Sequence, residues 1–211
     1  MIETGPHRLL RSARLVPVLT IAREEHAVPL ARALVAGGVK TLEITLRTAA
    51  SMSAAKLIHA EVEDAVVGLG TVLTRRDLEV CVNNGLKFAF SPGASPALLD
   101  AAAAIGLEFV PGVQTASEIM ACLERGFHVM KFFPAVPAGG IPALKSLAGP
   151  FPQVSFCPTG GISEADAPTW LALPNVLAVG GSWLAPAELV EASDWTAITA
   201  RARKSMELLG A

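Results

Sequence analysis

The sequence predicts a (β/α)8 barrel, and two patterns carry that expectation. Short, continuously apolar runs of strand character alternate with alanine- and leucine-rich stretches of helical character, the order of a parallel sheet covered on both faces. Eight such units fit into 211 residues, which suits a small closed barrel better than an open doubly wound sheet. No Gly-x-Gly-x-x-Gly follows the first run, so the main support for a dinucleotide fold is missing. The chain is expected to form one domain over 1–211, with 1–14 as a helix closing the bottom of the barrel.

In order, the expected strands are Leu15–Ile21, Val39–Leu46, Ala65–Leu69, Lys87–Ser91, Leu107–Pro111, His128–Phe133, Gln153–Cys157 and Asn175–Val179. Helical stretches between them include Ala27–Ala36, Ala97–Ala104 and Ser117–Arg125. Glycines stop several helices before the next strand, at Gly37-Gly38, Gly85, Gly106 and Gly126, because glycine tolerates the left-handed conformation that ends a helix. Thr74, Ser95, Thr115 and Ser163 mark helix starts, and Glu118 completes a capping box with Thr115.

Composition narrows the function classes. The hydrophobic fraction is 52% and the charged fraction 17%, a balance for a packed core and against disorder. The apolar runs fall far short of the ~18 residues that span a bilayer, and Met1–Arg14 holds no apolar segment of a signal peptide. A net charge of −2 without a basic block makes no electrostatic case for nucleic acid. Cys81, Cys122 and Cys157 are odd in number and widely spaced, as expected of reduced thiols in the cytoplasm. His7, His26, His59 and His128 lack metal-ligand spacing.

Lys131 is the residue least at home in its surroundings. It lies in the apolar run His128-Val129-Met130-Lys131-Phe132-Phe133-Pro134. An ammonium group there must reach water, pair, or lose its proton, and a neutral amine is the nucleophile that forms a Schiff base with a carbonyl. A lysine on an exposed strand edge is the plainer alternative. In the second run, a period of two puts Glu43, Thr45 and Arg47 on one face and Leu42, Ile44 and Leu46 on the other. The apolar face should meet helices, so the charged one points inward. Glu43 and Arg47 then either fill space as an internal ion pair or serve a ligand, Glu43 as proton acceptor and Arg47 as a carboxylate clamp.

Further polar and glycine-rich residues collect at the expected carboxyl ends of strands, where barrels keep their sites. Gly68-Leu69-Gly70-Thr71 brings a hydroxyl beside open backbone, and Ser91-Pro92-Gly93 is a turn. Phe133 shares a face with Lys131 and could shield it from water. Thr159-Gly160-Gly161 and Gly180-Gly181-Ser182 end the last two units. Paired glycines that bare backbone amides ahead of a helix make an anion cradle, and barrels often hold phosphate there. The cysteines and Trp170, Trp183 and Trp195 read as packing residues.

Taken together, these segments, with Pro111-Gly112-Val113, Lys131-Phe132-Phe133-Pro134-Ala135 and Cys157-Pro158-Thr159-Gly160-Gly161-Ile162-Ser163, resemble the 2-keto-3-deoxy-6-phosphogluconate (KDPG) aldolases. These are class I aldolases that often also cleave 4-hydroxy-2-oxoglutarate (KHG). The resemblance runs from about Val16 to the C-terminus with the motifs in order. It implies a (β/α)8 barrel, a homotrimer, a small phosphorylated sugar acid as substrate, and neither metal nor organic cofactor. It gives Lys131 the Schiff-base role and Glu43 the acid/base role. Arg47, Thr71 and Pro92 would hold the pyruvate portion, with Phe133 packed against it. Thr159 would face the hydroxylated chain, and Gly160, Gly161, Gly181 and Ser182 would receive the phosphate. Gln114 departs from the pattern, which leads one to expect a smaller residue. Three rivals stay open at this point: the galactonate epimer as substrate, a phosphate-binding isomerase, and a non-catalytic sugar-phosphate barrel.

Overall fold

The computed structural model describes residues 4–210 as an α/β fold around a curled, parallel-strand sheet. In chain order the elements are α1 (Gly5–Ala13), β1 (Leu15–Leu19), α2 (Ala27–Ala36), β2 (Thr41–Thr45), α3 (Ser51–Glu61), β3 (Val66–Gly70), α4 (Arg75–Asn83), β4 (Phe88–Phe90), α5 (Pro96–Ile105) and β5 (Glu108–Val110). There follow β6 (Gly112–Val113), α6 (Ala116–Leu123), β7 (Val129–Phe132), α7 (Gly140–Ala148), β8 (Ser155–Phe156), α8 (Ala167–Leu171), β9 (Val179–Gly181), α9 (Ala187–Glu191) and α10 (Trp195–Leu209). The N-terminal helix expected over 1–14 corresponds to α1, and residues 1–3 of that expectation lie outside the described residues.

The strands pair in two hydrogen-bonded sections. One runs β5-β4-β3-β2-β1-β9 and the other β6-β7-β8, with every pairing parallel. The fifth expected strand, Leu107–Pro111, is found as β5, and a further short strand, β6, follows it past Pro111, which has no N–H to give a ladder. Before it, β5 pairs with β4; beyond it, β6 pairs with β7, and the Pro111 carbonyl accepts from Lys131 N at 2.8 Å. The last strand is also displaced from Asn175–Val179. Val176 makes only an isolated bridge to Phe156, while the ladder to β1 begins at Val179, opposite Leu15.

Two apolar clusters divide the interior. Leu42, Ile44, Val67 and Leu69 face outward to meet Leu30, Leu34 and Ile58 of the surrounding helices. Val16, Phe88, Phe90, Val110, Val129 and Cys157 form a second cluster, joined by Leu10 of α1. The outward face of β2 is thus the apolar one, as its alternation requires.

Helix starts follow their caps. Thr74, Ser95 and Thr115 each accept a backbone N–H three residues on, and Glu118 closes the box by accepting from Thr115 N at 2.8 Å. Ser163 does not start a helix directly. Its hydroxyl donates to Asp166 Oδ2 at 2.6 Å in a turn, and α8 begins at Ala167. Gly85, Gly106 and Gly126 all adopt positive φ where their helices stop.

Candidate active site

The inward face of β2 and the middle of β7 meet in one buried contact. Lys131 Nζ donates to Glu43 Oε1 at 2.9 Å, with the two side chains 3% and 1% exposed. Lys131 is therefore not an edge lysine, and Glu43 pairs with it rather than with Arg47. Two features make room for the contact. Gly70, opposite Thr45 on β3, leaves space where a Cβ would strike Glu43 Oε1 at 2.1 Å. Phe90 and Phe133 each place a ring 5.2 Å from the Lys131 ammonium, favourable for a cation held away from water.

Arg47 corrects the two-residue alternation. β2 ends at Thr45, so Arg47 stands in the following turn, exposed, and the strand rule no longer aims it. Its Nε donates to Thr71 Oγ1 at 3.0 Å. Thr71 follows β3 directly and has φ +59, a left-handed conformation that a β-branched residue seldom takes. It does not cap α4, which Thr74 does. The Pro92 backbone passes tightly against Gly112, the neighbour of Lys131 on β6. Gly112 is in register with Lys131, and a Cβ on Gly112 would lie 2.4 Å from the Pro92 carbonyl carbon.

A cavity of about 200 Å³ lies beside the Lys131–Glu43 contact, and its lining includes neither Lys131 and Glu43 nor Thr71 and Pro92. Phe133 links the two, since its ring both lines the cavity and faces Lys131 Nζ. Arg47, Thr159, Gly160, Gly161, Gly181 and Ser182 share the lining, so the expected phosphate turns and the expected carboxylate clamp meet in one space. Gly160 and Gly161 have φ +102 and +80, which glycine adopts without penalty. Thr159 lies across β9, because a Cβ on Gly180 would meet its hydroxyl at 2.1 Å.

Several contributors were not foreseen. Val18 of β1 and Thr20, just past its end, also line the cavity. Their alternation with Leu19 could have shown their direction, but nothing marked Thr20 as polar for a purpose. Trp183 does more than pack: its ring fills the space over Gly181, and its Nε1 donates to Ser205 Oγ at 3.1 Å. Ser205 in turn donates to Glu164 Oε1 at 3.0 Å, tying α10 to the segments after β8 and β9. Burial pushes the Cys157 thiol up to about 12, Lys131 opposes that rise and Glu43 adds to it. Among the described residues, no group of three or more His, Cys, Asp or Glu could hold a metal ion.

A buried amine facing a carboxylate, beside a cavity rimmed by glycine turns, is the equipment of an enzyme working through a covalent amine adduct. The sequence profile of the family described as "Aldolase: KDPG and KHG aldolase" matches residues 7–201. The chain belongs to that family. It is similar to the KHG/KDPG aldolase of Escherichia coli K12, with 47% identity over 205 residues covering 97% of this chain and 96% of the relative. It is also similar to the 2-dehydro-3-deoxy-phosphogluconate aldolase of Pseudoalteromonas atlantica, 48% identical over 91% of this chain and 89% of the relative. Among solved structures, the KDPG aldolase of Legionella pneumophila, captured with pyruvate as a covalent carbinolamine, superposes with a TM-score of 0.93. It is 42% identical, covering 96% of this chain and 98% of the other. No helix among the described residues is long and apolar enough to cross a membrane.

Proposed function

We propose that this protein is a class I aldolase that cleaves 2-keto-3-deoxy-6-phosphogluconate to pyruvate and glyceraldehyde 3-phosphate, and 4-hydroxy-2-oxoglutarate to pyruvate and glyoxylate. The observation that carries this reading is the 2.9 Å contact between Lys131 Nζ and Glu43 Oε1 inside the sheet. Lys131 passes a proton to Glu43 and attacks the C2 carbonyl, giving a carbinolamine. Glu43 returns protons to the departing hydroxyl, water leaves, and an iminium remains. The C4 hydroxyl then gives up its proton to a base. The C3–C4 bonding electrons flow to the iminium nitrogen, the aldehyde leaves, and a pyruvate enamine stays on Lys131. Protonation at C3 and attack by water release pyruvate and restore the amine. The iminium is the electron sink, so the chemistry asks for no metal or organic cofactor.

Arg47 and Thr71 hold the pyruvate carboxylate, and their mutual hydrogen bond fixes the donor array. Pro92 and Phe133 bound the keto end, Thr159 faces the hydroxylated chain, and Gly160, Gly161, Gly181 and Ser182 receive the phosphate. The strand units form one (β/α)8 barrel domain, with α1 closing its bottom. Support comes from the parallel bridges Phe156–Val176 and Thr159–Gly180, from continuity across Pro111, and from Leu10 reaching the inner cluster. A homotrimer is the family expectation. Three buried free thiols suit a reducing cytoplasm.

Incubation with pyruvate and borohydride should leave one reduced adduct, on the peptide holding Lys131, and none in Lys131→Met. An adduct on Lys87 or Lys145, or undiminished labelling of Lys131→Met, overturns the mechanism.

A further inference from the structure

Thr20 belongs to the cavity wall but has no part in the chemistry above. Its hydroxyl lies 3.0 Å from Thr45 Oγ1, and Thr45 Oγ1 itself donates to Leu19 O at 2.9 Å. A hydroxyl has one proton. With Thr45's proton committed to the Leu19 carbonyl, Thr20 must donate to Thr45. The Thr20 oxygen is therefore oriented by a fully buried partner, and its lone pairs are left for whatever enters the cavity. It is an acceptor awaiting a donor.

Its height in the sheet says which donor. Val18 is in register with Glu43, so the amine–carboxylate contact sits at the level of Val18. Thr20 follows the end of β1, two residues beyond Val18 toward the carboxyl end of the sheet, beside Thr45 at the end of β2. It is exposed there, and it shares the lining with Gly181 and Ser182. A substrate running from the amine to the glycine turns passes it between the bond that breaks and the phosphate. We propose that Thr20 is a specificity-determining residue that accepts a hydrogen bond from a hydroxyl in the distal part of the substrate, beyond the carbon carrying the C4 hydroxyl. This rests on the aldolase reading and adds a contact just past β1, a segment that reading does not use.

The test compares Thr20→Val, which keeps the shape, with Thr20→Ser, which keeps the hydroxyl. Thr20→Val should lower kcat/KM for the phosphorylated six-carbon substrate about three- to tenfold, the range of one neutral hydrogen bond. Cleavage of 4-hydroxy-2-oxoglutarate, which lacks the distal hydroxyl, should change less than twofold, and Thr20→Ser should behave as wild type on both. Equal losses on both substrates, no loss on either, or a Thr20→Ser as impaired as Thr20→Val each overturn the assignment. Borohydride trapping of pyruvate on wild-type Lys131, run alongside, separates the outcomes. Trapping with an unaffected Thr20→Val sinks only this inference, whereas failure to trap sinks the aldolase reading itself.

Discussion

A methyl group on Gly70 would fall 2.1 Å from Oε1 of Glu43, the same oxygen that accepts from Lys131. The glycine is thus part of how Glu43 is aimed, although it carries no chemistry. Gly70→Ala should push the carboxylate off Lys131 while the backbone, which is ordinary strand at this position, accepts alanine. Turnover should fall toward that of Glu43→Gln, in which loss of the base is expected to lower kcat by roughly 10²-fold or more. Gly149→Ala, where a new methyl meets nothing within 4 Å, provides the control. Steady-state kinetics on folded proteins, checked by circular dichroism, decide the matter; full activity in Gly70→Ala would free Glu43 from its proposed role.

The proposed phosphate cradle is tested by charge. Ser182 is exposed on the cavity wall beside Gly181, so Ser182→Asp places a carboxylate where a dianion should settle. KM for the phosphorylated substrate should rise at least tenfold, with a far smaller change for 4-hydroxy-2-oxoglutarate. Comparable effects on the two substrates would move the phosphate away from these turns.

The thiols give a pH dependence. Burial raises Cys81, Cys122 and Cys157 from the ordinary 9.0 to about 12. Folded protein therefore keeps three protons that the unfolded chain releases above 9.0. Stability is whole below that value and is lost as pH climbs toward 12, by about 1.4 kcal/mol per pH unit for each thiol. Urea midpoints should fall between pH 8 and pH 10, and the fall should shrink in Cys122→Ala. At pH 8 a thiol reagent should label no cysteine in native protein and three in urea; rapid native labelling would contradict the burial.

Much of this architecture is legible without coordinates because the signals are local. Thr74, Ser95 and Thr115 announce helices through bonds made within three residues, and Gly106 stops one within a single turn. The alternation Leu42, Glu43, Ile44 sets the inward direction of Glu43 from the strand alone. Its partner was not legible that way, since Lys131 lies 88 residues distant and Arg47, close in sequence, could have claimed the carboxylate. Arg47 was placed by extending an alternation past Thr45, where the strand had already ended. Thr20 escaped notice because a hydroxyl at a strand end looks the same in sequence whether it meets solvent or a cavity. The bonds from Trp183 through Ser205 to Glu164 join three distant segments, so no spacing rule could reveal them.

The left-handed Thr71 carries a wider consequence. A β-branched side chain in that conformation costs about 1–3 kcal/mol, and the surrounding structure must hold it there. What it gains is a hydroxyl 3.0 Å from Arg47 Nε at the cavity edge. Glycine at this position would relax the backbone and remove that hydroxyl together. On the role proposed for Thr71, making the protein more heat-resistant by relieving its left-handed non-glycine residues would work against substrate grip at this residue. That role would couple durability to turnover through one torsion angle, and selection for one alone would erode the other.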